Sequence, residues 1–268
     1  MTYLLKTKTD HAYVVKILVE LLQNNMKTAC FEADDQGLSL RMMDSEKRFL
    51  IDLQLDRDKF NEYRFQGEKL YMGINLSHFH KMLKTIKKKD MLFLTITADQ
   101  PNNLKIRVKD REGSRLSDST IKIQNLQNLM IDLPGPYPHS VIVPSSDFQK
   151  SLKDLEKISP TVNVTSRGFS VCFSGDAGQI YSRNVTFGEI DSDVSDEEDD
   201  DVVYSRDFDI ERFVRITKLS GLDTTLRVYP AEGLPLLIRS NVGDLGLISI
   251  YIKSKDQIEE DMVPIDDE

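Results

Sequence analysis

Residues 34–55 read DDQGLSLRMMDSEKRFLIDLQL, and the parsing of the whole chain turns on them. Leu38 and Leu40 alternate with Ser39 and Arg41. Further on, Phe49, Ile51, Leu53 and Leu55 fall on one side of an extended chain, with Leu50, Asp52 and Gln54 on the other. Period two marks β-strands, so the stretch is predicted to be two strands joined by a short turn. Gly37, after two acids and a glutamine, is itself a turn signal. The core Gly-Leu-x-Leu-x-x-Met-Asp-Ser at 37–45 carries no catalytic pattern. What it establishes is architectural, and function has to follow from the architecture.

The 268 residues suffice for one large domain or two of moderate size. No run of about 18 apolar residues occurs, so no membrane span or membrane partner is expected. The opening MTYLLKTKTD has no long apolar core or small-residue cleavage site, and a secretory signal is not expected. Cys30 and Cys172 sit in strand-like apolar runs and read as buried thiols of a reducing compartment. Three Asn-x-Ser/Thr sequons, at Asn75, Asn163 and Asn184, carry no weight without a secretory route.

The net charge is −9, but it is unevenly spread. Residues 189–201 (EIDSDVSDEEDDD) hold nine acids and no base, and 256–268 (DQIEEDMVPIDDE) seven acids and no base. These sixteen charges outweigh the net value, so the remaining body carries about +7. The acids are expected in flexible segments. Ser192 and Ser195 within the first run are candidate phosphorylation sites beside the plainer reading of a surface loop. The run lacks the glycine turn and ligand spacing of a calcium loop.

A helix is predicted over 10–24, with Asp10 as N-cap and an apolar stripe at Val14, Ile17, Leu18, Leu21 and Leu22. Residues 56–66 read as a connection carrying Tyr63 and Phe65. A strand at KLYMGINLS leads into a second helix from Leu76 to Lys87. Strands follow at 91–98 and 104–109 around a Pro-Asn-Asn turn, with a further one at 114–123. Residues 124–139 (QNLQNLMIDLPGPYPH) contain three prolines and a glycine, which excludes a helix or central strand. Yet Leu126, Leu129, Met130, Ile131 and Leu133 are too apolar for a solvated linker, so this reads as a connector lying on the surface. A third helix is predicted over 145–158 with Ser145 or Ser146 as cap, strands at 161–165, 168–174, 178–186 and 202–206, and a fourth helix over 207–219. Three strands close the chain: TTLRVYPA, LPLLIRSN and LGLISIYIK. The helices at 145 and 207 repeat those at 10 and 76 at an offset of about 131 to 135 residues. The fold class is therefore α+β, two half-chains each with two helices on antiparallel strands. The domains are read as 1–123, a connector at 124–139, 140–255, and an acidic tail at 256–268.

Basic residues recur on the helices. Lys81, Lys84 and Lys88 are spaced by three and four on the second, extended by Lys87 and Lys89; Lys150, Lys153 and Lys157 repeat the spacing on the third. The fourth offers Arg212, Arg215 and Lys218, and the first Lys16. Any one such face is also what a solvated helix looks like. Catalysis has no support: His11, His78, His80 and His139 form no ligand set, Met43-Asp44-Ser45 has no histidine placed to serve it, and a GKS/GKT phosphate loop is absent. No cofactor or metal is expected. A metal-dependent phosphoesterase using Asp34, Asp35 or Asp44 is kept as an alternative from another class.

The 37–45 pattern resembles the first-domain signature of the proliferating cell nuclear antigen family, the eukaryotic-type DNA sliding clamps. Asn75-Leu76 entering the second helix, the proline-containing connector, Pro144-Ser145 opening the third and Leu234-Pro235-Leu236 near the end stand where that family has comparable residues. The resemblance covers roughly 1–255. It implies a homotrimeric ring around double-stranded DNA, held without sequence preference by the helix lysines and arginines, loaded by a separate clamp loader. It implies a processivity factor for DNA polymerase, not an enzyme, located in the nucleus or a viral replication compartment. An edge strand near Arg115, Ser117, Ser119 and Ile121 would pair with one near Gln179, Tyr181 and Arg183 of the next subunit. Polymerase and other proteins with PCNA-interacting peptides would dock beside the connector, at Met43, Leu50, Ile131, Leu133, Pro134, Pro235 and Tyr251. Arg48, Asp132 and Lys253-Ser254 depart from the family pattern there, and Ser166 stands near its ubiquitin-bearing lysine. These departures suit a divergent or viral member. A monomeric or hetero-oligomeric DNA-bound scaffold is the related alternative.

Overall fold

The computed structural model describes residues 2–126, 131–178, 180–189 and 204–262. In the first half the order is β1 (Tyr3–Thr9), α1 (Ala12–Asn25), β2 (Thr28–Ala33), β3 (Gly37–Met43), β4 (Phe49–Asp56), β5 (Glu62–Phe65), β6 (Leu70–Asn75), α2 (Leu76–Leu83), β7 (Met91–Thr97), β8 (Gln100–Lys109) and β9 (Leu116–Lys122). In the second it is β10 (Val141–Pro144), α3 (Ser145–Leu155), β11 (Thr161–Arg167), β12 (Ser170–Asp176), β13 (Ser182–Gly188), β14 (Tyr204–Asp209), α4 (Ile210–Arg215), β15 (Thr225–Tyr229), β16 (Leu236–Asn241), β17 (Gly246–Ile252) and α5 (Lys255–Met262). Leaving out β5 and α5, strand–helix–three strands is repeated four times. Leu129, Met130, Gln179, Ser192 and Ser195, most of the acidic run and 263–268 lie outside the described residues.

The strands form three antiparallel sheets, ordered β5-β1-β7-β8-β9, β10-β15-β16-β17-β4-β3-β2-β6 and β13-β12-β11-β14. The eight-stranded sheet crosses from one half to the other where β4 pairs with β17, from Gly246 opposite Leu55 to Ile252 opposite Phe49. A Cβ on Gly246 would lie 2.0 Å from the Gln54 carbonyl oxygen, so the seam requires glycine there. Phe49, Ile51, Leu53 and Leu55 face the main core beneath the helices. Leu50, on the opposite side of the strand, joins a separate apolar cluster. The period-two reading of 49–55 is thus realised on both faces.

Several boundaries differ from expectation, each for a local reason. Thr9, not Asp10, precedes α1 as acceptor: its Oγ1 takes the His11 N–H at 3.0 Å. Asn75 caps α2 by accepting from His78 N at 3.0 Å, but the helix stops at Leu83. Lys16 Nζ donates to the carbonyls of Lys84 (2.8 Å) and Ile86 (3.2 Å), and Asp90 accepts from Lys87 N at 2.8 Å, which fixes 84–90 as a turn. Ser145 is the first residue of α3 and its buried hydroxyl has no partner; Pro144 stands at the cap. The fourth helix is only six residues long. Thr217 Oγ1 bonds back to Val214 O at 2.8 Å, and a 3-10 segment, Thr217–Gly221, replaces the last turns. Residues 62–65 are a strand beside β1, too short to show a period. The Pro-Asn-Asn segment is not the turn, which lies at Ala98-Asp99; Pro101 sits instead where the β7–β8 register shifts.

The tail departs most. Expected to be flexible from Asp256, it is helical over Lys255–Met262 and packs on β14. Ser254 N donates to Gln257 Oε1 (3.1 Å) and Gln257 N to Ser254 Oγ (3.3 Å), a reciprocal capping box. Lys253 Nζ meets Asp261 at 2.5 Å.

Candidate functional site

The helices form one row. α1 packs on α2 and on Thr217–Gly221, and α3 packs on that segment and on α4. The cations on this row divide by their surroundings. Lys81, Lys84, Lys88 and Lys153 are exposed with no acidic partner among the described residues, as are Lys87 and Lys89. Because α2 ends at Leu83, Lys84 and Lys88 project from the following turn rather than from one helical face. Lys150 lies 3.7 Å from Asp147 and Lys157 3.1 Å from Asp154, exposed pairs that a competing anion displaces at small cost.

The other four predicted phosphate contacts are engaged within the chain. Lys16 holds the carbonyls after α2, Lys218 pairs with Glu20 at 2.8 Å, and Arg215 pairs with Glu211. Arg212 reaches Asp44 Oδ2 at 3.2 Å and Glu46 Oε2 at 3.5 Å.

Among the described residues, strands near both predicted edges stand last in their sheets; Arg115 lies just before the first strand and Tyr181 just before the second, whose end at Gly188 meets Val141 of β10. β9 ends the five-stranded sheet and β13 the four-stranded one. Large apolar side chains stand exposed at each: Leu116 (58% exposed) on the first, Ile180 (90%) and Tyr181 (51%) beside the second. Beside β9, a cleft of about 350 Å³ is lined by His78, Lys81, Met82, Thr85, Ser117 and Ser119. Not every predicted residue faces outward. Ile121 is buried in its own core. Arg115 pairs with the buried carboxylate of Asp90 and donates to Thr85 O at 3.1 Å. Arg183 reaches Asp154 on α3 at 3.2 Å. The remaining margins are covered or charged among the described residues: the connector crosses β6 at Gly73, α5 lies on β14, β10 lies against β13, and β5 carries Glu62 and Arg64.

The third surface lies beside the connector. Leu50, Leu237 and Tyr251 form a buried cluster apart from the main core, with Met43, Ile131, Tyr137 and Tyr229 packed on it. Leu133 is exposed, while Pro134 and Pro235 are half-buried. Tyr137 is held by its hydroxyl, which donates to Pro235 O at 2.7 Å, and its ring lies 6.1 Å from Tyr229 and 6.2 Å from Tyr251. Burial pushes the Tyr137 and Tyr251 hydroxyls above the ordinary tyrosine range, so both stay neutral. Arg41 clasps the connector: Nε donates to Asp52 at 2.8 Å and Nη1 to Ile131 O at 3.0 Å. A polar cleft of about 370 Å³ opens next to it, with Arg41, Asp52, Lys69, Ile131 and Asp132 in its walls. The departures have local roles: Arg48 pairs with Glu46 at 3.3 Å, Asp132 is exposed, and Lys253 and Ser254 anchor α5. Leu237, Tyr137 and Tyr229 were missed from sequence. Leu237 alternates with Leu236 and Ile238, so period two places it on the opposite face.

Two of the carboxylates in the phosphoesterase alternative have local structural roles. Asp34 Oδ1 accepts from Gln36 N and Gly37 N, and Asp44 Oδ1 from Arg48 N and Phe49 N, so these carboxylates are turn caps. Among the described residues, no three His, Cys, Asp or Glu side chains converge. No helix described is long and apolar enough to cross a membrane.

Comparison with known proteins agrees with this geometry. Residues 4–130 match the family model of the proliferating cell nuclear antigen N-terminal domain, and 135–255 that of its C-terminal domain. The chain is 23% identical to the proliferating cell nuclear antigen of Chaetomium thermophilum over 257 residues, covering 94% of this chain and 98% of that one. It is 24% identical to that of Caenorhabditis elegans over 263 residues, 96% and 99% of the two chains. It is 21% identical over 250 residues, 91% and 94%, to a protein of Paramecium bursaria Chlorella virus 1 described as a probable DNA polymerase sliding clamp. With matches to both domains spanning nearly its whole length, this chain belongs to the proliferating cell nuclear antigen family.

Proposed function

We propose that the protein is a DNA sliding clamp: a homotrimeric ring that encircles duplex DNA, tethers a DNA polymerase, and offers other replication and repair proteins a docking groove. The observation that carries this is the pair of sheet-end strands, β9 in one half and β13 in the other, with exposed Leu116 on the first and exposed Ile180 and Tyr181 just before the second. Pairing β9 of one subunit with β13 of the next is heterologous, and such contacts close into a ring when the rotation fits. The helix row with its exposed lysines would then line the opening. Lys81, Lys84, Lys88, Lys150, Lys153 and Lys157 would meet phosphates, contacts that ignore sequence, weaken steeply with salt and permit sliding. Lys16, Arg212, Arg215 and Lys218 would support the lining from within. Topology, not affinity, would retain the ring on DNA, so a separate loader must open it.

Exposed Leu133 and half-buried Met43, Ile131, Pro134 and Pro235, lying over or beside the buried cluster of Leu50, Leu237 and Tyr251, suit a short peptide with apolar anchors. Its partners would be polymerase and other PCNA-interacting peptides. The division is 1–123, connector 124–139 and 140–255, with α5 as an appended helix. The role is scaffolding and not catalytic, in the nucleus or a viral replication site. Lys84→Glu with Lys153→Glu tests the lining. Polymerase stimulation should be lost while the ring still forms; stimulation retained on an intact ring would show the lining is misassigned.

A further inference from the structure

Arg212 stands apart from the other cations of the helix row. Its side chain is only 19% exposed and its nearest partner, Asp44, only 12%, although they lie 168 residues apart in sequence. The exposed lysines around it either lack an acidic partner among the described residues or pair with acids three residues away in sequence; this guanidinium points into the β3–β4 turn.

That turn needs holding. Lys47 has φ of 56°, a left-handed conformation that side-chain-bearing residues adopt rarely and at a cost. Such a residue persists where its surroundings over-determine it. Here Asp44 O accepts from Lys47 N at 3.1 Å, and Asp44 Oδ1 accepts from Arg48 N at 2.7 Å and Phe49 N at 2.9 Å. Asp44 Oδ2 takes Arg212 Nη1, and Glu46 takes Arg212 Nη2 as well as Arg48 Nη1. The turn is flanked by Met43 and Leu50, both in the docking cluster. Lys253 N donates to Arg48 O at 3.0 Å, which ties the end of β17, one residue past Tyr251-Ile252, to the same turn.

We infer that Arg212 is a positioning residue of the docking groove: it latches the β3–β4 turn onto α4 and so sets Met43, and the buried Leu50 that floors the groove, for the incoming anchors, and it is not a phosphate contact. The inference rests on the groove reading given above. It joins the peptide-binding rim in one half to the helix row in the other through a single fork. The planar guanidinium turns one nitrogen to Asp44 and the other to Glu46, a fixed fork that the single compact nitrogen of an ammonium does not reproduce.

The test uses the full-length chain and two probes. One is a fluorescein-labelled synthetic peptide presenting one Leu and two Phe anchors at i, i+3 and i+4. The other is a 30-base-pair duplex titrated across salt. The variants are Arg212→Lys, Arg212→Ala, Asp44→Asn and, as groove control, Leu50→Ala. Arg212→Lys and Asp44→Asn should each weaken the peptide by about tenfold, a typical coupling between linked sites. The slope of log affinity for duplex against log salt should stay at its wild-type value. Amide exchange should rise at Arg48 and Phe49 but not along β17, which a general loss of stability would not reproduce. Arg212→Lys keeps the charge and the fold, so it decides the matter if Arg212→Ala unfolds. Unchanged peptide affinity in both Arg212 variants and in Asp44→Asn, with weaker binding by Leu50→Ala, overturns the latch alone. A salt slope in Arg212→Ala that is shallower by about 0.9, the value of a single phosphate, overturns it in favour of DNA binding through this arginine. Peptide binding that is absent in the wild type, or unaffected by Leu50→Ala, removes the groove reading and the latch with it.

Discussion

Arg115→Ala is expected to destabilise the protein, although Arg115 lies beside the β9 edge and the family resemblance makes it an interface contact. In the structure its guanidinium faces inward. It pairs with Asp90, whose side chain is 3% exposed, and donates to Thr85 O at 3.1 Å. Asp90 also accepts from Lys87 N at 2.8 Å. Removing the arginine leaves a buried carboxylate with one backbone donor. Breaking a fully buried pair this way costs about 3–5 kcal/mol; because Arg115 is itself 36% exposed, roughly 2–3 kcal/mol is the better expectation here. At about 2–4 °C per kcal/mol for a chain of this size, Tm should fall by about 4–12 °C. Arg115→Ala with Asp90→Asn should recover part of the loss, since a neutral amide is cheaper to bury than an unpaired charge. Thermal unfolding by circular dichroism at two protein concentrations tenfold apart separates the two roles. A contact within one chain lowers Tm equally at both, whereas an interface contact loses more at the lower concentration. A Tm within 2 °C of wild type, or a loss confined to the dilute sample, would refute the inward anchor.

Three further outcomes follow from the same contacts. Deleting residues 255–268 uncovers β14 and removes Asp256 from Arg206, so the shortened chain should associate beyond the wild-type mass in light scattering; an unchanged mass and Tm would contradict the covering role of α5. Gly246→Ala forces a methyl against the Gln54 carbonyl at the seam between halves and should cost about 1–3 kcal/mol in denaturant titration, with no loss meaning that the seam yields freely. Asp110, held low by the Ser114 hydroxyl and the Arg115 N–H, and Asp118, held low by Arg107, brace the β8–β9 hairpin. A carboxyl depressed in the fold stabilises it fully above the unfolded value and ceases to as pH falls through the folded one. The β9 edge should therefore loosen below about pH 4, seen as a drop in assembled mass before the far-ultraviolet signal collapses; mass retained until global unfolding would contradict this.

Much of this was legible along the chain because local pattern and tertiary environment agree. Residues 49–55 alternate, with Phe49, Ile51, Leu53 and Leu55 on the core and Leu50, from the other face, in the separate apolar cluster. Ser254-x-x-Gln257 is a readable capping box, but the acids around it pointed to a flexible tail. The short α4 was not legible, because helical periodicity at 207–219 does not reveal that Thr217 turns its hydroxyl back on Val214. Least legible were the charges. Spacing put Arg212, Arg215 and Lys218 on a basic helix face, whereas Glu20, Asp44 and Glu46, which take up two of them, come from the other half of the chain. Sequence distance hides such pairs, and only the fold separates an anchored cation from a free one. The edges β9 and β13 were located by resemblance, and among the described residues each stands last in its sheet.

The central claim is that these two edges close a ring. Size exclusion with light scattering, across protein concentration and salt, measures it most directly. A mass near three times 30.7 kDa that persists on dilution is the predicted result. A mass near one subunit at micromolar concentration would contradict the ring, leaving DNA retention to the lysines alone.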